Sequence, residues 1–171
     1  MYQRSVNSYF FLILFTIMTP FTSQAVKPLN DAEIAEVMEV CRKIRFDFAT
    51  IALAKAESDE VKDFASYILT DYKEELSPVP IFIKDQNQSA SDIKKEMSEL
   101  SADLKKLKGK EFDQSYLQMQ MNLHKRIVKD IEDGLIPAAK NPELKKALKQ
   151  TKAQFEDYVD DTLDAYISIS K

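Results

Sequence analysis

Four side chains of this sequence could do chemistry from the interior of a helical protein. His124 is the only histidine, and apolar residues at three-four spacing place it in the middle of a helical stripe. Tyr72 and Tyr158 hold equally central positions on two other stripes, and Asp47 lies at the edge of a fourth. Each long helix is therefore expected to direct one polar group toward the interior.

An imidazole, two phenols and a carboxylate could together hold a single metal ion, of which iron or manganese would be expected. The Glu-x-x-His ligand pairs of dinuclear bundles are missing, since Met121 stands three residues before His124. The competing interpretation is a buried hydrogen-bonded cluster that fixes the register of the helices. Buried polar groups find protein partners far more often than they find ions. We therefore favour the cluster and expect no cofactor, and keep the metal site as the alternative.

The single cysteine, Cys41, is expected to face inward as a small packing residue. Its basic neighbours in sequence, Arg42, Lys43 and Arg45, are expected on other faces of the helix, where they would not activate a thiolate. The sequence has no nucleophile elbow, phosphate-binding loop, Cys-x-x-Cys or His-Glu-x-x-His pattern. These observations favour a protein that is not an enzyme.

Long segments rich in Ala, Leu, Lys and Glu, with only two glycines, predict an all-helical fold. Asn30, with Glu33 in a capping box, begins a helix that is predicted to end near Glu57. Ser58 caps the second helix. Ser77-Pro78-Val79-Pro80 breaks that helix, and a polar loop is expected over Asn87–Ala90.

The second half of the chain has similar start and stop signals. Ser91 is predicted to cap a shorter helix that stops at Gly109. A third long helix is predicted from about Asp113 to Ala139, with an interruption at Gly134 or Pro137, and Asn141-Pro142 opens the last helix.

Short connections pair the first helix with the second and the third with the fourth, so the chain should form two helical hairpins. The segment from Ser77 to Glu111 joins the hairpins and carries its own helix. This is the arrangement of a ferritin-like four-helix bundle. The openings Asp59-Glu60-Val61-Lys62 and Pro142-Glu143-Leu144-Lys145 resemble each other, which fits a pseudo-two-fold pair of hairpins.

The first residues of the chain are typical of a secretory signal peptide. Arg4 precedes an apolar run from Phe10 to Met18, and Ser23-Gln24-Ala25 provides a small-x-small cleavage site. We expect residues 1–25 to be removed, residues 26–171 to form the bundle, and the protein to reach the periplasm or cell envelope. After cleavage no transmembrane span is expected.

The formal net charge of −4 argues against nucleic acid as a partner, because binding phosphates needs clustered Lys and Arg. The partner is expected to be an unidentified protein or a second copy of the chain. For self-association the segment from Asp92 to Lys108 is the candidate, since it could expose a spare apolar face.

Several short segments together resemble a known family. They are Leu29 to Ile34, Ile51 to Ala56, Glu60 to Ala65, Lys108 to Asp113 and Asn141 to Lys145, with Tyr116 and His124. The resemblance is to the bacterial exported family known as domain of unknown function 4142, also called predicted outer membrane protein, with a ferritin-like fold. It covers about Leu29 to Ile167.

The departures from that family concern the inward residues. The family usually has Asp-His where this chain has Asp71-Tyr72, a histidine where it has Tyr158, and a glutamate where it has Arg45. The resemblance thus implies a member without most of the possible metal ligands. Our interpretation is a non-enzymatic envelope protein that binds a partner or acts in stress tolerance. The alternative is a metal-binding or redox protein with a degenerate site around His124.

Overall fold

The structure, a computed structural model, describes residues 29–74 and 88–171. All regular elements in these two ranges are helical, which confirms the all-α class. The elements are α1 (Asp31–Lys55), α2 (Asp59–Glu74), α3 (Gln88–Leu104), α4 (Gly109–Asp130), a π-helical turn (Ile131–Leu135) with a last turn (Ile136–Ala138), and α5 (Pro142–Ser170). The predicted signal peptide and the predicted break at residues 77–80 lie outside the described residues.

Two of the predicted helix starts are confirmed in detail. The Asn30 side-chain oxygen accepts hydrogen bonds at the start of α1, and the Glu33 carboxylate accepts one from the Asn30 backbone amide at 2.7 Å. This reciprocal capping box satisfies amides that have no partner within the helix. At the start of α5 the Asn141 side chain caps and Pro142 occupies the first turn, where its missing N–H costs nothing.

The boundaries around α3 differ from the prediction. This helix begins at Gln88, so the polar loop is wrong for residues 88–90 and Ser91 lies inside the helix rather than at its cap. It ends at Leu104, and Gly109 is the first residue of α4 rather than the stop of α3. Gly109 has φ +57, and a Cβ there would lie 3.3 Å from the Glu57 carboxylate. The left-handed backbone conformation, which L side chains rarely adopt, therefore favours glycine at the start of α4.

The long third helix is interrupted near its end, as the sequence predicts. The π-helical turn Ile131–Leu135 contains Gly134, and Pro137 follows it. A proline cannot donate to the preceding turn, which favours a local change in the hydrogen-bonding pattern.

The helices pack as two hairpins, α1 with α2 and α4 with α5. The hairpins join through contacts of α2 with α5 and of α1 with α4, and α3 lies against α1. This agrees with the predicted arrangement of two hairpins and a connecting segment with its own helix. In the described ranges no helix is long and apolar enough to span a membrane.

The connection between α1 and α2 is held by a carboxylate from the other hairpin. Asp113, near the start of α4, is 3% exposed. Its two oxygens accept hydrogen bonds from the backbone amides of Glu57 at 3.3 Å and Ser58 at 2.8 Å. Those amides precede the first turn of α2, where a negative charge is also favoured by the helix dipole. Asp113 therefore fixes the start of α4 against the far end of α1.

The opposite end of the bundle repeats this contact with the hairpins exchanged. Asp31, the first residue of α1, accepts hydrogen bonds from the backbone amides of Lys140 at 2.7 Å and Asn141 at 3.0 Å. We call Asp31 and Asp113 the carboxylate clamps. Because each joins the start of one hairpin to the connection of the other, α1 and α4 run in opposite directions. Helices α2 and α4 then run parallel, so the chain must return along the bundle between them.

Replacing Asp113 by alanine should lower the free energy of unfolding by about 2 kcal/mol, since two charge-assisted hydrogen bonds are lost and two amides lose their acceptor. Asp113→Asn keeps one acceptor oxygen and should cost less. Asp59→Ala is the matched control, because that side chain is exposed and its pair with Lys62 is at the surface. Urea unfolding measures all three; an Asp113→Ala protein as stable as the control would contradict the clamp.

Candidate functional site

The predicted central position of His124 is correct. Its side chain is fully buried on α4, and its ring centroid lies 5.4 Å from those of Phe155 and Tyr158 and 6.4 Å from that of Phe64. Helices α2, α4 and α5 therefore meet at this imidazole. We define the His124 cluster as His124, Phe64, Phe155, Tyr158 and Arg45.

Helix α1 contributes Arg45 to this cluster. The residue is only 3% exposed, and its guanidinium carbon lies 4.3 Å from the centroid of the Tyr158 ring and 4.6 Å from that of Phe155. A cation over the face of an aromatic ring is attracted by the ring's quadrupole, most strongly where water is excluded. The charge at the centre of the bundle is thus held by two aromatic faces.

The expectation that Arg45 lies on another face than Cys41 is wrong. It follows Cys41 by four residues, which is one helical turn, and both side chains are buried. That spacing was visible in the sequence. The charge of Arg45 nevertheless argued against a buried position, because a charged residue is seldom fully buried without a partner.

The structure does not bring Asp47 or Tyr72 to the cluster. Asp47 is 55% exposed and pairs with Lys43 at 3.2 Å, so its inward placement is wrong. The Tyr72 ring is partly buried and packs on Phe46, with centroids 4.6 Å apart, while the Arg42 guanidinium lies 4.1 Å from its centroid. Of the four predicted site residues, only His124 and Tyr158 meet.

The cluster continues along α4 toward Asp113. Gln120 and Tyr116 precede His124 by one and two turns, and both are fully buried. Burial raises the pKa of the Tyr116 phenol above its usual range, although a contact with Gln120 opposes the shift. This phenol therefore stays protonated at physiological pH.

Both ring nitrogens of His124 and the hydroxyl of Tyr158 have no hydrogen-bond partner in the described part of the protein. Burial lowers the pKa of His124 to about 3, and the nearby charge of Arg45 lowers it further. The imidazole is therefore neutral at physiological pH. The hydrogen-bonded cluster favoured by the sequence is therefore wrong: His124 is buried as predicted, but aromatic rings surround it in place of hydrogen-bond partners.

Iron or manganese does not fit this set of residues. Within residues 29–74 and 88–171, no three His, Cys, Asp or Glu side chains come together as metal ligands. Tyr158 contributes a phenol to the cluster, and a guanidinium already lies over its ring. A cation added beside it would be repelled in surroundings that screen charge poorly.

A model of the family described as Domain of unknown function (DUF4142) matches residues 18–162. The chain belongs to this family. The match confirms the resemblance noted in the sequence and leaves function open. No curated protein matches the chain.

Among solved structures, "CopM in the Cu(II)-bound form" is similar to this chain, with a TM-score of 0.58 and 19% identity. The likeness covers 83% of this chain and 99% of that one. At this level of identity it shows that the two share a helical fold.

Cys41 lies one turn before Arg45, and its thiol is buried. Burial raises the pKa of this thiol to about 12, and the charge of Asp130 adds to the shift. A protonated, enclosed thiol reacts slowly with electrophiles.

Maleimide labelling of Cys41, followed by mass spectrometry, should therefore be at least about a hundredfold slower in the native protein than in urea. Rapid native labelling would show that the core opens at α1.

The neutral His124 predicts how stability depends on pH. Because its pKa is about 3 in the folded state and about 6.5 when unfolded, the unfolded chain binds one more proton between these values. The stability from the neutral imidazole is complete above pH about 6.5 and falls by up to about 1.4 kcal/mol per pH unit below it.

His124→Phe should remove this slope and leave stability at neutral pH unchanged or slightly higher, since an unpartnered polar group is replaced by an apolar ring. His124→Gln is the matched control, because it removes the titration but keeps a polar group. Unfolding free energies measured from pH 4 to 8 test both. A wild-type slope retained in both variants would assign the pH dependence to other groups.

Proposed function

We propose that this chain is a non-enzymatic helical-bundle protein of the bacterial cell envelope that acts by binding another protein. The observation that carries the proposal is the closed centre of the bundle. His124 is fully buried, and Arg45 covers the rings of its neighbours Phe155 and Tyr158. A substrate would have to displace this packing to reach the imidazole.

The reactive groups of the described residues support the same proposal. A general acid or base needs a pKa near the working pH and contact with the reacting group. His124 has a pKa of about 3, and Cys41 has one of about 12. Both lie in the core, so neither combines reactivity with access. A function carried by the surface of the bundle accounts for a centre built in this way.

The envelope location is supported by the sequence of the first residues. A basic residue, an apolar run and a small-x-small site follow one another within residues 1–25, as in secretory signal peptides. A stress-tolerance role would be one outcome of binding at the envelope.

Metal binding is the alternative function, and two observations favour it. His124 offers two ring nitrogens without a hydrogen-bond partner in the described protein, and neutral imidazole is the form that binds metals. The similar fold of "CopM in the Cu(II)-bound form" suggests copper as the first ion to try. Against it stands the poor fit of the remaining donors.

Elemental analysis of the protein purified from its native compartment separates the two functions. If the bundle is a binding protein, iron, manganese, copper and zinc should all be well below one per chain. Titration with copper(II), followed by calorimetry, should then give the same weak heats for the wild type and for His124→Phe. A stoichiometric site that is lost in His124→Phe would establish the metal function instead.

Weak copper binding that survives in His124→Phe would come from surface carboxylates. It would leave the binding-protein proposal intact, because the interior would still hold no metal.

A further inference from the structure

Helix α5 changes the sign of its exposed charges halfway along its length. It spans 29 residues, or about 44 Å, and its inner face packs on α4 and α2. Two sets of exposed or half-exposed charges follow one another on the outer side. The basic half consists of Lys145, Lys146 and Lys149, and the acidic half of Asp157, Asp160, Asp161 and Asp164.

These charges are not neutralised inside the described part of the chain. In the middle of the helix, Lys152 pairs with Glu156 at 2.9 Å and with Glu132 at 3.6 Å. The described ranges contain no such ion pair for any member of the basic half or the acidic half. Within residues 29–74 and 88–171, the two halves are therefore charges without an ion-pair partner.

The order of the charges along α5 is also electrostatically unfavourable within the helix itself. Helix dipoles favour acids at the first turn and bases at the last, but α5 has lysines following Glu143 and no base in its last turn. Asp157 and Asp161, like Asp160 and Asp164, are four residues apart, where like charges repel. Partial burial raises the pKa of Asp161, and the neighbouring aspartates raise it further. A bound positive surface would relieve this repulsion.

We propose that the outer face of α5 binds the same face of a second copy of this chain, antiparallel, to form a symmetric dimer. A two-fold axis between the levels of Gln154 and Phe155 places Lys149 opposite Asp160 and Lys146 within one residue of the position opposite Asp164, and symmetry repeats each pair. A two-fold interface brings one patch against itself, and this patch carries both signs in the order that antiparallel pairing requires.

The uncharged residues of the face fit the same arrangement. Ala153 is exposed near the proposed axis, where a small side chain allows two helices to approach closely. Ile167 is 47% exposed at the acidic end and would meet Pro142 of the second copy, which is exposed at the basic end. The lysine stems can cover Leu163, which is 40% exposed.

A single pair of helices makes a small interface, below the roughly 1,200 Å² typical of stable complexes. The dimer should therefore be weak and held largely by charge. Salt shortens the range of such interactions from about 10 Å at 0.1 M to about 3 Å at 1 M. The dimer does not depend on the proposed function, since a metal protein could associate through the same face.

Sedimentation equilibrium of the purified protein tests the proposal with charge-reversed variants. The acidic variant Lys146→Glu/Lys149→Glu and the basic variant Asp160→Lys/Asp164→Lys should each raise the dimer dissociation constant by about tenfold or more. Mixed in equal amounts, the two variants should associate with each other, because every pair is again of opposite sign. Lys110→Glu/Lys125→Glu on α4, at two exposed positions outside α5, is the matched control, with the same change in net charge as the acidic variant and an unchanged dissociation constant.

Raising the salt from about 0.1 M to about 1 M should dissociate the wild-type dimer. Circular dichroism confirms that each variant is folded. A wild type that stays monomeric at low salt, or variants that do not associate when mixed, would overturn the proposal and leave the acidic half for a basic partner of another kind.

Discussion

The reciprocal contact between the carboxylate clamps and the opposite connections sets the register of the whole bundle. Arg45 lies fourteen residues after Asp31, roughly 21 Å along α1, and His124 lies eleven residues after Asp113, roughly 16 Å along α4. The two helices run in opposite directions from opposite ends, and these distances together match the roughly 37 Å length of α1. Arg45 and His124 therefore meet at one level because the clamps hold the ends.

The charge that meets His124 decides what the centre can do. The Arg45 guanidinium lies over two aromatic faces in the buried centre of the bundle, where such contacts are strongest. Burial lowers the pKa of the neighbouring imidazole, and the charge of Arg45 lowers it further, because a second positive charge would be unfavourable there. Relatives are expected to place histidines and a carboxylate around this point. In this chain arginine and tyrosine fill the corresponding positions, so the centre is already charged and packed.

The sequence was sufficient for features that depend on one helix. The capping box at Asn30, the Asn141-Pro142 start of α5 and the buried positions of His124, Tyr158 and Cys41 all follow from local spacing and are confirmed. Membership of the family was likewise recognisable from short segments.

The remaining features of the site depend on contacts between helices and could not be predicted from the apolar stripe of a single helix. Arg45 is buried because two rings of α5 lie beside it, and the sequence of α1 alone does not predict those rings. Asp47, two residues further, is about 200° around the helix from Arg45 and reaches solvent. Gly109 was predicted to end a helix, but its left-handed backbone conformation occurs at the first residue of α4.

Because the centre of the bundle is closed and already charged, we expect the function to be carried by its outer surface. Aromatic packing around Arg45 and His124 joins α1, α4 and α5 and stabilises one arrangement of these helices. The charges on the outer face of α5 lie against the dipole of their own helix and repel their own neighbours, so folding alone does not explain them. Charges that repel one another within one chain are stabilised when a surface of opposite sign binds to them. In the proposed dimer, the core thus holds the shape of each chain, and the divided charge of α5 supplies the contact between the two copies.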